Sequence, residues 1–484
     1  MRRKTKIIAT LGPATYSYES VSGLVAAGMD VARLNFSHGE HELHRRAAEW
    51  VRAASLEHGR HVAVLQDIQG PKIRVGRFPD GSLDLARGDE VSLVAGTGLA
   101  ESNQIPIGYP HLLDDVLPGH VVVLADGLIR IRVIERTGDV LRGEVRIGGR
   151  LADNKGAAMP ESQLQLPTIT DKDREDLAFG AEIGVDFVAA SFVRTSADIK
   201  VVRELSGGTV PVIAKLELAV AYKNLDDILE SADGVMVARG DLGVELPLQE
   251  IPWAQGDILR RTNEKGLISI TATEMLESMT ASPRPTRAEV TDVTNAVVSG
   301  TDAVMLSAET AVGEFPIRTI EVMDMICREA EERVVHSRSG HQTVDFLESQ
   351  RTFASATAKA AVEAAWNLGI EAIVAFTESG RTAQLISKYR PAAPIWTFSA
   401  DLSTLRRMAL YWGVIPIQFD RRDRFGHMVA FAEKYLERHG VCREGDGLVV
   451  VAGVPPNEQA STNIMKLHVI GERMRSGSDW FGTG

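Results

Sequence analysis

The feature that most constrains this chain is a short β-branched run, a turn and a helical stretch, recurring eight times along the sequence. The runs are Lys6–Thr10, Val31–Asn35, Val62–Asp67, Asp186–Ser191, Val212–Lys215, Gly234–Val237, Ile268–Thr273 and Ala303–Leu306. Such alternation makes parallel strands joined by crossover helices. Eight units is the number that closes a (β/α)8 barrel, whose chemistry sits at the C-terminal strand ends.

The spacing breaks once, between Asp67 and Ile169, in Gly- and Asp-rich sequence with valine alternations such as Val121-Val122-Val123-Leu124. So long a loop without structure of its own is improbable, so the stretch reads as an inserted β domain at the catalytic end of strand three, placed to act as a lid. Pro316–Arg333 reads as a long helix, and the polar segment Val335–Thr343 as a domain boundary. From Arg351 onward, helical sequence alternates with five runs: Glu371–Phe376, Ile395–Phe398, Val414–Gln418, Gly447–Val451 and Ile464–Ile470. The expected fold is therefore α/β: a (β/α)8 TIM barrel (1–70 plus 168–335), an inserted β-barrel lid (71–167) and a C-terminal α/β domain (336–484).

Composition narrows the function classes. The 484 residues carry 53 Lys+Arg against 65 Asp+Glu, a net charge of -12, which argues against nucleic acid or an anionic membrane as the main partner. No apolar run approaches the ~20 residues that span a bilayer, and the basic start Met1-Arg2-Arg3-Lys4 is not followed by a signal-peptide core. Cys327 and Cys442 stand far apart, as expected of buried thiols in a reducing compartment. The expected location is cytoplasmic.

Three motif readings fail. His41-Glu42-Leu43-His44 is one residue short of a zincin helix, Gly96-Thr97-Gly98 lacks the third glycine of a dinucleotide fingerprint, and Gly148-Gly149 lacks the Lys-Ser/Thr of a phosphate loop. The strand ends are more informative. Period two puts Ile213, Lys215 and Glu217 on one face, and because helices cover the outside of a barrel, Lys215 and Glu217 must point inward at the rim. Asp241 follows the adjacent strand, so two carboxylates can bracket one hard divalent cation and leave positions for substrate oxygens. Arg33, Asn35 and Ser37 share a face at the end of strand two, a pattern suited to phosphate or ion binding. Asp67, Ser191, Thr273 and Ser307 fall at other strand ends and complete a polar ring.

These residues, with the stretches Thr5–Pro13, Val31–Gly39, Met236–Gly243, Ala272–Met279 and Pro283–Val290, resemble the pyruvate kinase family, and the likeness runs through most of the chain. The resemblance implies a barrel, a mobile lid and a regulatory C-terminal domain in a homotetramer. It also implies transfer of the phosphoryl group of phosphoenolpyruvate to ADP, giving ATP and pyruvate. Carried over by position, Lys215 and Thr273 are the catalytic residues, Glu217 and Asp241 hold Mg2+ (with Mn2+ as the alternative), and Arg33, Lys215, Gly240, Asp241 and Thr273 meet phosphoenolpyruvate. Asn35, Ser37, His38, Arg74 and Lys155 face the nucleotide. Either Thr273 or a water delivers the proton to the enolate.

Many family members bind K+ at the positions of Asn35, Ser37, Asp67 and Ile68, with an acidic residue where this chain has Lys72. Two readings follow: Lys72 supplies the charge that K+ would bring, so K+ is not required, or it is a solvated lysine at the lid hinge. Leu218, Glu274 and Ala308 also depart from the family's usual Asn, Gln and Gly. In the third domain, Thr377, Ser379, Gly380, Arg381 and Thr382 resemble a sugar-phosphate effector loop, though an ordinary capped turn has the same composition. The Ala460-Ser461-Thr462-Asn463 stretch lacks the glycine common in fructose-bisphosphate-activated members. A metal-dependent lyase is the runner-up, disfavoured by the lid residues Arg74 and Lys155. A silent metabolite-binding protein would lack one of Lys215, Glu217 or Asp241.

Overall fold

The computed structural model describes residues 2–337, 352–420, 424–453 and 462–472. The eight runs close into one parallel barrel, with strand one paired to strands two and eight. The strands are Lys6–Leu11, Val31–Asn35, Ala63–Asp67, Phe187–Ala190, Val212–Leu216, Gly234–Ala238, Ile268–Ala272 and Ala303–Leu306, here numbered one to eight. Alternation decides which side each residue faces. Val212, Ala214 and Leu216 pack under the helices, whereas Ile213 joins Ile8, Leu65, Phe187, Met236, Ile270 and Met305 in the barrel interior. Each such side chain contributes about 1.5–3 kcal/mol by leaving water.

The insertion after strand three is mainly β, with one short helix, Leu112–Asp115. A six-stranded sheet orders Ala157–Ala158, Val121–Leu124, Ile129–Thr137, Val140–Ile147, Glu90–Ala95 and Gln104–Ile107, and a two-stranded sheet pairs Gly149–Ala152 with Ser82–Leu85. The two connections to the barrel meet at one buried carboxylate. Asp173 Oδ1 accepts from the Gly70 amide at 3.0 Å, while Oδ2 accepts from the Thr170 amide at 2.9 Å and the Thr170 hydroxyl at 2.6 Å. Because Asp173 also forms the capping box of helix Asp171–Glu182, the lid's outgoing and returning segments are fixed to the same helix end.

Helix Pro316–Ser337 leaves the barrel; residues 338–343 of the expected boundary lie outside the described residues. The third sheet orders Val414–Gln418, Ile395–Ser399, Ile373–Phe376, Gly447–Gly453 and Thr462–Val469, all parallel except the last. No helix among the described residues is long and apolar enough to cross a membrane.

The third unit docks on the N-terminal end of the barrel, away from the mouth. Lys6 Nζ donates to the Val414 carbonyl at 2.7 Å and the Gly413 amide to the Lys4 carbonyl at 2.9 Å. Asp302, 1% exposed and just before strand eight, pairs with Lys388 and, at 2.8 Å, with Arg390. Burial pushes this carboxyl up, but the two cations outweigh it and hold it below the usual range. Asp302→Ala leaves both cations without their shared partner, and urea unfolding should show a loss of about 3–5 kcal/mol. A loss under ~1 kcal/mol would remove Asp302 as the joint's organising charge.

Candidate active site

The buried charge cluster of the mouth is built on strands one, two, three and five. Lys215, near the end of strand five, points inward as the alternation requires. Its Nζ lies 2.7 Å from Ser191 Oγ, 2.7 Å from Glu217 Oε1 and 3.1 Å from Asp67 Oδ1. Asp67 ends strand three, and its other oxygen accepts from Arg33 Nε at 2.7 Å. Arg33 in turn donates from Nη1 to Thr10 Oγ1 on strand one at 2.9 Å. One carboxylate, 1% exposed, thus sits between a guanidinium and an ammonium. Burial pushes the Asp67 carboxyl up, yet Lys215 and Arg33 outweigh that and hold it below the usual range. Burial also opposes the charge on Lys215, and Asp67 with Glu217 more than compensates, so the ammonium stays protonated.

Glu217 follows strand five. Its Oε2 accepts from the Phe192 amide at 2.7 Å, where Phe192 has a left-handed φ of 55°. Gly70 makes room for this turn: a Cβ there would lie 2.8 Å from Phe192 Cδ2, and its own φ is +67°. Burial lifts the Glu217 carboxyl above its usual range; Lys215 opposes the lift and Asp241 adds to it. Asp241 lies in the short helix Arg239–Glu245, with Lys72 Nζ 3.4 Å from its Oδ1. Two hard oxygen donors that repel one another fit a divalent cation between them. Glu217 and Asp241 would supply two of the oxygen ligands that such an ion takes and leave the other positions to substrate and water.

Across the mouth, Thr273 follows strand seven. Its hydroxyl donates to the Ala272 carbonyl at 2.7 Å and accepts from the Gly240 amide at 2.9 Å. Thr273 and Glu274 are both left-handed, with φ of 65° and 53°. Each such residue costs about 1–3 kcal/mol, which surrounding contacts must offset.

A cleft of about 520 Å³ separates lid from barrel, lined among others by Lys72, Asp126, Phe192, Glu217, Leu218 and Asp241. Asn35 Oδ1 accepts from the Ser37 amide at 3.1 Å, fixing the loop after strand two, and the exposed His38 offers its carbonyl to His44 Nε2 at 3.0 Å. Arg74 reaches the Asn154 carbonyl at 3.0 Å and bridges to Gly156, next to the exposed Lys155. The expected monovalent-cation residues divide. Asp67 belongs to the Arg33–Lys215 cluster and the Ile68 carbonyl accepts from Ser191 Oγ at 2.7 Å, while Lys72 pairs with Asp241.

The third-unit loop lies after Ile373–Phe376 and opens helix Arg381–Lys388. Gly380 (φ 84°) is its N-cap and no side chain caps it; the Gly380 amide donates to Thr377 Oγ1 at 3.0 Å. Thr382 Oγ1 lies 2.6 Å from Thr462 Oγ1, Arg381 reaches Gln384 Oε1 at 3.3 Å, and Ser379 is exposed. Residues 460–461 of the facing stretch lie outside the described residues. Sequence reasoning missed the Phe192 amide, the hinge carboxylate Asp173 and the Arg239 side chain. The last sits inside a quoted motif, Met236–Gly243, but nothing in its spacing shows where the guanidinium goes.

A lidded (β/α)8 barrel whose mouth combines cations with paired carboxylates fits the class of metal-assisted phosphotransferases. The family model described as "Pyruvate kinase, barrel domain" matches residues 2–320, and "Pyruvate kinase, alpha/beta domain" matches residues 355–468. A pyruvate kinase of Geobacillus stearothermophilus is 42% identical over 483 residues, covering 99% of this chain and 82% of the relative. Those of Sporosarcina psychrophila (40%) and Staphylococcus saprophyticus (39%) each cover 98% of this chain and 82% of their own length. The chain belongs to the pyruvate kinase family.

Gly70→Ala should strain the hinge and push on Phe192, displacing the amide that holds Glu217. Steady-state assays should show kcat down roughly tenfold or more, as expected of small misplacements near reacting groups. Unchanged kcat would mean that the turn yields without moving Glu217.

Proposed function

We infer that the chain carries out the reaction for which its family is named: phosphoenolpyruvate and ADP give pyruvate and ATP, in the cytoplasm, with the mouth residues dividing the work. The observation that carries the assignment of roles is the Lys215 ammonium, held charged among Asp67, Glu217 and Ser191 at the C-terminal strand ends. An oxygen of the terminal ADP phosphate bonds to phosphorus, the bond from phosphorus to the enol oxygen breaks, and its electron pair stays on that oxygen. Carbon 3 of the resulting enolate then takes one proton, so each turnover consumes one proton from solvent.

Lys215 and Arg33 meet the charge on the moving phosphoryl group and the enolate oxygen. Phosphoryl transfer asks mainly for positioning and charge neutralisation, which such preorganised cations supply. Glu217 and Asp241 hold the divalent ion, Mg2+ or Mn2+, which when bound supplies positive charge to the phosphoryl oxygens. Asn35, Ser37, His38, Arg74 and Lys155 take the nucleotide phosphates between barrel and lid root. Thr273 has one hydroxyl hydrogen, and that hydrogen is directed at the Ala272 carbonyl. Its free lone pair can accept from a water, which favours water as the immediate proton donor with Thr273 orienting it.

We assign to Lys72 the charge that K+ brings in many family members. Its support is a side chain only 30% exposed and paired with Asp241 instead of lying free in solvent. For the C-terminal loop, a phosphorylated effector at Thr377, Ser379, Gly380, Arg381 and Thr382 is supported by a helix N-terminus without a side-chain cap. We place these subunits in a homotetramer.

Lys215→Met should lower kcat by about 10³-fold with the fold intact by circular dichroism; wild-type turnover in that variant would end the assignment. The wild type should work at near-full rate without K+, and Lys72→Glu should lose that activity and regain part of it when K+ is added. Wild-type activity that appears only with K+ would return Lys72 to the role of a hinge lysine.

A further inference from the structure

Thr273 and Glu274 hold a backbone conformation that neither residue type favours, and a β-branched threonine favours it least. Something must hold it, and one side chain reaches both peptide groups. Arg239 donates to the Thr273 carbonyl from Nε at 3.2 Å and from Nη2 at 2.7 Å, and Nη2 also reaches the Glu274 carbonyl at 3.1 Å. The same Nη2 lies 2.9 Å from Met275 Sδ. Nη1 donates to Asp292 Oδ2 at 2.5 Å, so the guanidinium is anchored on its far side by helix Arg287–Val298. The side chain is 9% exposed. The next residue completes the grip, since the Gly240 amide donates to Thr273 Oγ1. Residues 239 and 240 therefore hold Thr273 by its carbonyl and by its hydroxyl at once.

We infer that Arg239 is a positioning residue for protonation of the enolate: its guanidinium clamps the Thr273 and Glu274 carbonyls and so fixes the direction of the Thr273 hydroxyl. This rests on the assignment of Thr273 to the proton step. A clamp on two successive carbonyls with a separate anchor needs the planar fork of arginine; the single ammonium of a lysine cannot make all of these bonds in one geometry. Phosphoryl transfer is served by Lys215 and Arg33 on other strands, so loss of the clamp should act on the proton step and leave nucleotide binding alone.

The test compares Arg239→Met, Arg239→Lys, Glu274→Gly, the double variant Arg239→Met/Glu274→Gly, and Thr273→Ala. Two quantities are read: steady-state kcat and KM, and the rate at which the methyl protons of pyruvate exchange with deuterium in D2O with Mg2+ and ATP present. The exchange isolates the proton step in reverse. Arg239→Met should slow the exchange and kcat about tenfold or more, with KM for ADP changed by less than about twofold, and Arg239→Lys should restore little. Glycine adopts the left-handed conformation without strain, so the double variant should recover at least about threefold of the loss. A merely structural Arg239–Asp292 pair would give no such recovery. If Arg239→Met does not fold, Asp292→Asn loosens the same anchor and should slow exchange in the same sense. Unchanged exchange in the Arg239 variants, or a double variant as slow as the single one, overturns the inference while Thr273→Ala still slows exchange. Full exchange in Thr273→Ala overturns the assignment of Thr273, and the inference with it.

Discussion

A single buried carboxylate, Asp67, holds the barrel mouth together. It is held between Arg33 and Lys215; without it Arg33 would lose its carboxylate partner and Lys215 would keep only Glu217. Its position depends on closure of the whole barrel. Asn35 and Ala189 pair with Asp67 in the registers of strands two and four, and a slip of one residue would turn the carboxylate toward the helices. The positions of Lys215, Arg33 and, through Ser191, the Ile68 carbonyl all follow from that register. Fold and electrostatics are therefore one constraint here: the strands must close correctly for the charges to be paired, and the charges are costly unless the strands close correctly.

The same device recurs at two other joints. Asp302 gathers Lys388 and Arg390 where the third unit meets the N-terminal end of the barrel, and Asp173 gathers both lid connections at the start of one helix. In each case one oxygen-rich group serves partners from segments distant in sequence. The consequence is directional. The lid is tied near Gly70 and Thr170, at the catalytic end, while the third unit is tied at the opposite end, so a signal from that unit would have to cross the length of the barrel.

The barrel, the β insertion and the five-stranded third sheet were legible in sequence because each rests on period-two alternation between turn signals, which survives without knowledge of partners. Lys215 and Glu217 were legible for the same reason: the outer face was already claimed by Ala214 and Leu216. What could not be read was the destination of long side chains. Lys72 was grouped with Asn35 and Ser37 by motif position, and the pairing of its ammonium with Asp241, a residue 169 positions away, leaves no mark in the sequence. Asp173 is the N3 residue of a capping box whose N-cap is Thr170, and nothing in the local sequence shows that its other oxygen holds Gly70.

The least legible residues are those that break local rules. Phe192, Thr273 and Glu274 all have left-handed backbones that their side chains disfavour, and all three follow barrel strands at the mouth. No propensity argument would place them so. Each is held from the next element around the ring: the Phe192 amide by Glu217 of the following unit, and the Thr273 and Glu274 carbonyls by Arg239 of the preceding one. A barrel suits such arrangements because every strand end has a neighbour on both sides, fixed by strand pairing about 4.8 Å away. The strain is thus met by the same closure that pairs the charges. Aiming an amide at Glu217 and a hydroxyl at the site assigned to the proton requires conformations that an isolated strand–helix unit would not keep.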